Sequence, residues 1–146
     1  MAIDIDQFSR KLVADAPDAI IYADADGLVR FWNRGAERIF GFSQSDALGK
    51  SLDIIIPEQL RKRHWDGYTR TMRTGVTRYS VSDVLAVPAI RKDGSRISVE
   101  FTILPFTDQD GVIGIAAILR NVSSRFKEIK DLRAKLAAAQ AGDAVL

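Results

Sequence analysis

Cysteine is absent from all 146 residues, and that absence excludes disulfides, thiolate metal ligands, cysteine nucleophiles and cysteinyl-flavin photochemistry. Histidine is almost absent too, since His64 stands alone. No run of about 18 apolar residues occurs. The N-terminal stretch "MAIDIDQFSRKLVADAPDA" lacks a basic segment leading into an apolar one. Neither a membrane span nor a secretory leader is therefore expected, and the chain reads as cytoplasmic. A surplus of charge is missing as well: 21 Lys and Arg against 19 Asp and Glu leave +2. The basic residues gather within 61–78 rather than along a face, so nucleic acid is not an expected direct partner. There is no G-x-G-x-x-G or phosphate loop, and no serine in a strained turn to serve as a nucleophile for His64. The chain is not expected to be an enzyme.

What is present suits one globular domain, with 47% hydrophobic and 27% charged residues. "IDQFSRKLVAD" spaces Ile5, Phe8, Leu12 and Val13 with a helical period, and Pro17 closes it. "AIIYADADGLVRFWN" reads as a hairpin turning at Asp24 to Gly27. In "NRGAERIFGFS", Asn33 is placed to cap a short helix and Gly41 to end it in the left-handed conformation. A brief helical turn in "SQSDALGKS" and the apolar "LDIII" follow, and then Pro57 and Gly75 bracket a longer helix. "TRYSVSDVLAVPAIR", "SRISVEFTILPFT" and "GVIGIAAILRNV" read as three long strands joined at "KDG" and "DQDG". In the last segment Ile129, Leu132, Leu136 and Ala139 form a short coiled-coil-like seam. Two strands, several short helices and three strands predict an α+β fold: a five-stranded antiparallel sheet with helices on one face. Asp24 with Asp26 and Asp108 with Asp110 sit beside glycines and read as turn chemistry rather than calcium ligands. Phe31, Trp32, Phe40 and Phe42 read as core, and Trp65 and Met72 as packing against a neighbouring helix or a dimer partner.

"DAIIYADADGLVRFWNRGAERIFGFSQSDALGKS" resembles the N-terminal half of PAS domains, and "RKDGSRISVEFTILPF" with "GIAAILRNVSSRFKEIKDL" resembles their closing strands and signalling helix. The resemblance covers roughly residues 8 to 136. It implies an N-terminal helix over 1–16, a sensor domain over 17–122 and a C-terminal signalling helix and tail over 123–146. It also implies a sensing and dimerising module, a homodimer acting on an output domain or partner protein. Asn121 stands where the family usually has the Asp of its Asp-Ile-Thr motif, and Glu37 and Lys50 match the positions of a family salt bridge.

His64 gains weight from its place on the helix. At about 100° per residue, Leu60 lies about 40° to one side of it and Tyr68 about 40° to the other. Thr71 and Gly67 lie about 20° and 60° round on the Leu60 side, and the charges of Lys62, Asp66 and Arg73 fall opposite. Gly67 costs the helix about 1 kcal/mol relative to alanine, which suggests that something approaches the backbone there. A flat ligand beside His64 would explain all three features. Haem b is the candidate: neutral imidazole is a normal axial ligand, and Arg61, Arg63 or Arg70 could meet its propionates.

"IIPEQLRKRHWDGY" is similar to the proximal segment of oxygen-sensing PAS domains of the FixL type. That resemblance implies His64 as the iron ligand and Leu85, Phe101 and Ile103 as the distal wall, with a diatomic gas as the signal. The cofactor-binding set is thus His64, Leu60, Gly67, Tyr68, Leu85, Phe101, Ile103 and Arg61, and flavin is not expected. Two positions depart from the pattern: one residue more separates His64 from Tyr68, and Leu85 stands where those sensors place an arginine. Trp32, Trp65, Tyr79 or Ser80 could supply a donor instead, so O2, CO and NO stay open as the gas. A small organic ligand hydrogen-bonded to His64, or a module that only dimerises, are the other readings.

Overall fold

In "AIIYAD" the side chains alternate between buried and half-buried, which is the period of a strand with one face on a core. That strand, β1 (Ala19–Asp24), ends because the Asp24 carboxylate turns back on its own backbone. Its Oδ1 accepts the N–H groups of Asp26 and Leu28, each at 3.0 Å. The chain returns as β2 (Val29–Trp32), antiparallel to β1. The structure, a computed structural model, describes residues 2–145. Its remaining elements are α1 (Ile5–Asp15), α2 (Arg34–Phe40), α3 (Gln44–Ala47), a 3-10 turn (Leu52–Ile55), α4 (Glu58–Thr74), β3 (Leu85–Ile90), β4 (Arg96–Asp108), β5 (Gly111–Asn121) and α5 (Ser123–Val145).

All strand pairs are antiparallel, in the order β2-β1-β5-β4-β3. The last strand thus lies at the centre, between the first and the fourth, as the α+β expectation of a five-stranded sheet requires. Its inner face packs Ile21, Val99 and Leu119 against Trp32, Phe40 and Ile55. Trp32 and Phe40 are fully buried, while Phe42 packs on the core half-exposed and Phe31 is half-buried.

The start of α2 is held by Asn33, 3% exposed. Its Oδ1 accepts the N–H groups of Ile20 and Ala36, both at 2.9 Å, and its Nδ2 donates to the carbonyls of Val13 (2.9 Å) and Asp18 (3.1 Å). One amide so ties α1, β1 and α2 together. The next turn of chain comes so close that a Cβ on Gly35 would overlap the Asp18 carbonyl, which only glycine permits.

Three expectations are corrected. The strand expected from Thr77 begins only at Leu85. Upstream of it the Thr77 hydroxyl and the Asp83 carboxylate accept the N–H groups of Tyr79 and Ser80, giving the backbone local partners in place of a ladder. Glu37 does not pair with Lys50: its carboxylate accepts the Gln44 N–H at 2.8 Å, at the start of α3. Trp65 packs within its own domain, over Gly27, whose positive φ and missing Cβ leave room for the ring.

At Asn121, the side-chain oxygen accepts the Ser123 N–H (3.0 Å) and hydroxyl (2.7 Å) where α5 starts. Both terminal helices carry exposed apolar residues: Phe8 and Leu12 on α1, and Phe126, Ile129, Leu132 and Leu136 on α5.

Candidate functional site

Pro57, which has no N–H to leave unpaired, stands before α4, and Gly75 ends it in the left-handed conformation. Between them the residues turned toward the domain run from Gly67 and Leu60 through Thr71, His64 and Tyr68 to Met72 and Trp65. That arc is centred about 20° from His64 on the Tyr68 side, by the helical period. The sector read from the sequence is therefore correct, and its middle lies between the two rings.

His64 is enclosed by aromatics. Its ring meets Trp65 edge-on with centroids 4.6 Å apart, and Tyr68 lies tilted at 5.7 Å. Neither neighbour is free to turn toward it. The Trp65 indole N–H donates to Asp53 Oδ1 at 2.7 Å. The Tyr68 hydroxyl donates to the Asp24 carbonyl at 2.6 Å and lies 3.2 Å from that of Ala23. Burial pushes the Tyr68 hydroxyl pKa up, so it stays protonated and able to donate.

The imidazole itself has lost water without gaining a partner. His64 Nδ1 is buried and makes no hydrogen bond to any described residue. A neutral imidazole carries one N–H and one lone pair, so either tautomer leaves that nitrogen wanting a partner. Burial lowers the His64 pKa from the usual 6.5, and the nearby Asp53 carboxylate offsets this only in part. At neutral pH the ring is accordingly uncharged, the form that can ligate a metal.

Gly67 lies half-buried on the same helix, and nothing in the chain comes within 4 Å of where its Cβ would be. The close approach expected there is not made by the protein. Arg61 is committed elsewhere. Its Nε donates to the Ile56 carbonyl (3.1 Å), its Nη2 donates to the Asp53 carbonyl (3.3 Å), and it lies 3.9 Å from the Asp53 carboxylate. It fastens the 3-10 turn to α4, whereas Arg63 and Arg70 are exposed.

Opposite stands the sheet. Leu85 pairs with Phe101, Phe101 with Leu119, and Ile103 with Ala117. The strand period puts all four side chains on the inner face with buried Val99. Leu85, Phe101 and Ile103 are half-buried. Val87 pairs with Val99 and shares that face, yet is 40% exposed, so the inner face of edge strand β3 is incompletely covered. The candidate residues thus fall into two groups on α4 and on the sheet, with no hydrogen bond or ring contact joining them.

Asp53, which orients Trp65 and Arg61 alike, went unnoticed in the sequence. Its signal was a lone carboxylate inside the apolar "LDIII" just before the helix.

These residues fit haem. The imidazole is neutral with a buried nitrogen unsatisfied, the helix beside it is open at Gly67, and the facing sheet is apolar. Among the described residues no three His, Cys, Asp or Glu gather to hold a bare ion. A haem iron draws four bonds from its porphyrin and needs only one from the chain.

The comparisons with known proteins agree with this architecture. The family model described as the PAS fold matches residues 7–122. The chain is 32% identical over 94 residues to the Sensor protein FixL of Bradyrhizobium diazoefficiens, covering 64% of this chain and 18% of that protein. It is 28% identical over 105 residues to the Oxygen sensor protein DosP of Escherichia coli, covering 72% of this chain and 13% of that protein. It therefore spans less than a fifth of the length of either relative. The crystal structure of a PAS domain from Colwellia psychrerythraea superposes with a TM-score of 0.71 at 20% identity, covering 83% of this chain and 99% of that one, a likeness of fold. Among the described residues, no helix is long and apolar enough to cross a membrane.

Proposed function

The chain belongs to the PAS fold family, and on that premise we propose that it is a sensory module in which His64 holds haem b and a diatomic gas is the signal. The observation that carries the reading is the buried, unpartnered Nδ1 of a neutral imidazole. Such an atom is costly in a folded domain unless a ligand completes it. Two oxygen- or redox-type sensors need not share a cofactor, but FixL and DosP align across this helix region and the second is named an oxygen sensor.

In this reading His64 is the axial ligand, and its neutrality above the ordinary imidazole range keeps a lone pair available. Leu60 and Gly67 flank it on the helix, where the missing Cβ at Gly67 leaves room. Leu85, Phe101 and Ile103 form the apolar wall that excludes water. Tyr68 and Trp65, pinned to β1 and to Asp53, set the rotation of α4 and so the direction of the imidazole. Arg61 acts on the site through Asp53 and the 3-10 turn, and Arg63 and Arg70 are the cations left for propionates. Haem b, when bound, supplies an iron that takes up O2, CO or NO.

Residues 17–122 are then the sensor, and residues 1–16 and 123–146 are the relay. Strand β5 runs beneath α4 directly into α5. A shift of α4 against the sheet is thereby delivered to the exposed seams of the terminal helices, biasing a two-state homodimer coupled to an output domain or partner.

The test is the visible spectrum of the purified chain supplied with hemin. A Soret band that is present in the wild type and lost in His64→Ala is the expected result. Absence of the band in a folded wild-type protein overturns the reading, and a co-purified organic molecule would put a small-molecule sensor in its place.

A further inference from the structure

The side chains around His64 differ sharply in one property, their capacity to donate a hydrogen bond into the space between α4 and the sheet. On the sheet side that capacity is nil. Leu85, Val87, Phe101, Ile103 and Ala117 carry no polar side-chain atom, and the polar residues of β4, namely Ser98, Glu100 and Thr102, alternate onto the opposite face. The backbone N–H groups of these strands are spent in the ladder.

On the helix side donors exist, but each is already used. The Trp65 indole N–H goes to Asp53, the Tyr68 hydroxyl to the Asp24 carbonyl and the Thr71 hydroxyl to the Gly67 carbonyl at 3.0 Å. The Trp32 indole N–H goes to the Phe42 carbonyl at 3.0 Å. Ser80, in the loop before β3, is exposed and within 3.0 Å of the Ser82 hydroxyl. Tyr79, half-buried in the same loop, is the one remaining candidate.

We propose that this site selects against O2 and in favour of a gas that needs no donor, of which CO is the type, with Leu85 as the selecting residue. The proposal rests on the haem reading above. Its basis is the polarity of the ligand: O2 held at ferrous iron draws negative charge onto its outer atom and gains from a donor, while CO draws little. A hydrogen bond to a charged acceptor is worth about tenfold or more in affinity, so a wall that withholds it shifts the ratio by that factor. Leu85 sits on edge strand β3, opposite Phe101 and half-exposed, where a longer polar side chain can enter without repacking the core.

The experiment uses the full chain loaded with hemin and reduced, with CO and O2 affinities measured by titration and dissociation rates by flash photolysis. Leu85→Gln places an amide donor on the wall. The ratio of CO to O2 affinity is expected to narrow about tenfold, through slower O2 release, with CO affinity unchanged. Tyr79→Phe is expected to leave the ratio as it is. A ratio that widens tenfold in Tyr79→Phe shows that the loop supplies a donor and overturns the proposal. An unchanged ratio in Leu85→Gln, with the Soret band intact, overturns the role of Leu85. Loss of the band in the wild type is a different failure, that of the haem reading itself.

Discussion

Asn33 and His64 are both polar side chains drawn into the same domain, and their surroundings treat them in opposite ways. The Asn33 amide has two acceptor and two donor sites, and the fold fills all four, with Ile20, Ala36, Val13 and Asp18. It has nothing left to offer a ligand. His64 has rings on two sides and a buried nitrogen with no partner. The first arrangement rigidifies a junction of α1, β1 and α2, and the second leaves binding capacity at the cost of stability. A polar group that is fully satisfied from within serves the fold, and one that is not marks where something else is to bind.

That contrast can be broken from either end. The largest effect is expected for Asn33→Ala, which orphans two N–H groups and two carbonyls at once and costs about 3 kcal/mol or more, a large share of a domain's stability. Urea denaturation measures it, and a loss below about 1 kcal/mol would erase the distinction. Tyr68→Phe comes next. It keeps the ring against His64 but removes the donor to Asp24, and about 1–1.5 kcal/mol should be lost in the same assay. A wild-type stability for Tyr68→Phe would mean that α4 is not anchored through that hydroxyl.

The smallest effect belongs to His64 in the unliganded protein. Its folded pKa lies below the 6.5 of a free imidazole. The unfolded chain therefore binds the proton more readily, and stability is fully present above about pH 6.5. It declines as the pH falls from there toward the folded pKa. His64→Leu should remove that acid-side decline and leave stability at pH 7 unchanged or raised by up to about 1 kcal/mol, because an unsatisfied polar atom is gone. If His64→Leu is instead as damaging as Asn33→Ala, then His64 is a structural residue and the comparison fails.

Much of the fold was legible because it is written in local chemistry. Pro57 and Gly75 bracket α4, Asn33 and Gly41 bracket α2, and Lys92 to Gly94 turns β3 into β4, each through backbone preferences that need no distant partner. Thr77 to Val84 misled for the same local reason in reverse. β-branched residues suggested a strand, and the Thr77 and Asp83 side chains captured the backbone first. Glu37 was assigned to Lys50 by family pattern, and it took the nearer Gln44 N–H.

The candidate site was legible as a face but not as a set of contacts. Helical periodicity placed His64, Tyr68 and Gly67 on the inward side of α4, because period alone decides which residues share a face. Whether His64 would find a partner could not be read that way. The groups that might have served it are claimed by Asp53, 12 residues from Trp65, and by Asp24, 44 residues from Tyr68. Hydrogen bonding is short-ranged in space and indifferent to separation along the chain. The sequence by itself therefore determined the elements, their caps and the direction in which His64 points, and only the tertiary structure decided that its nitrogen would be left without a partner.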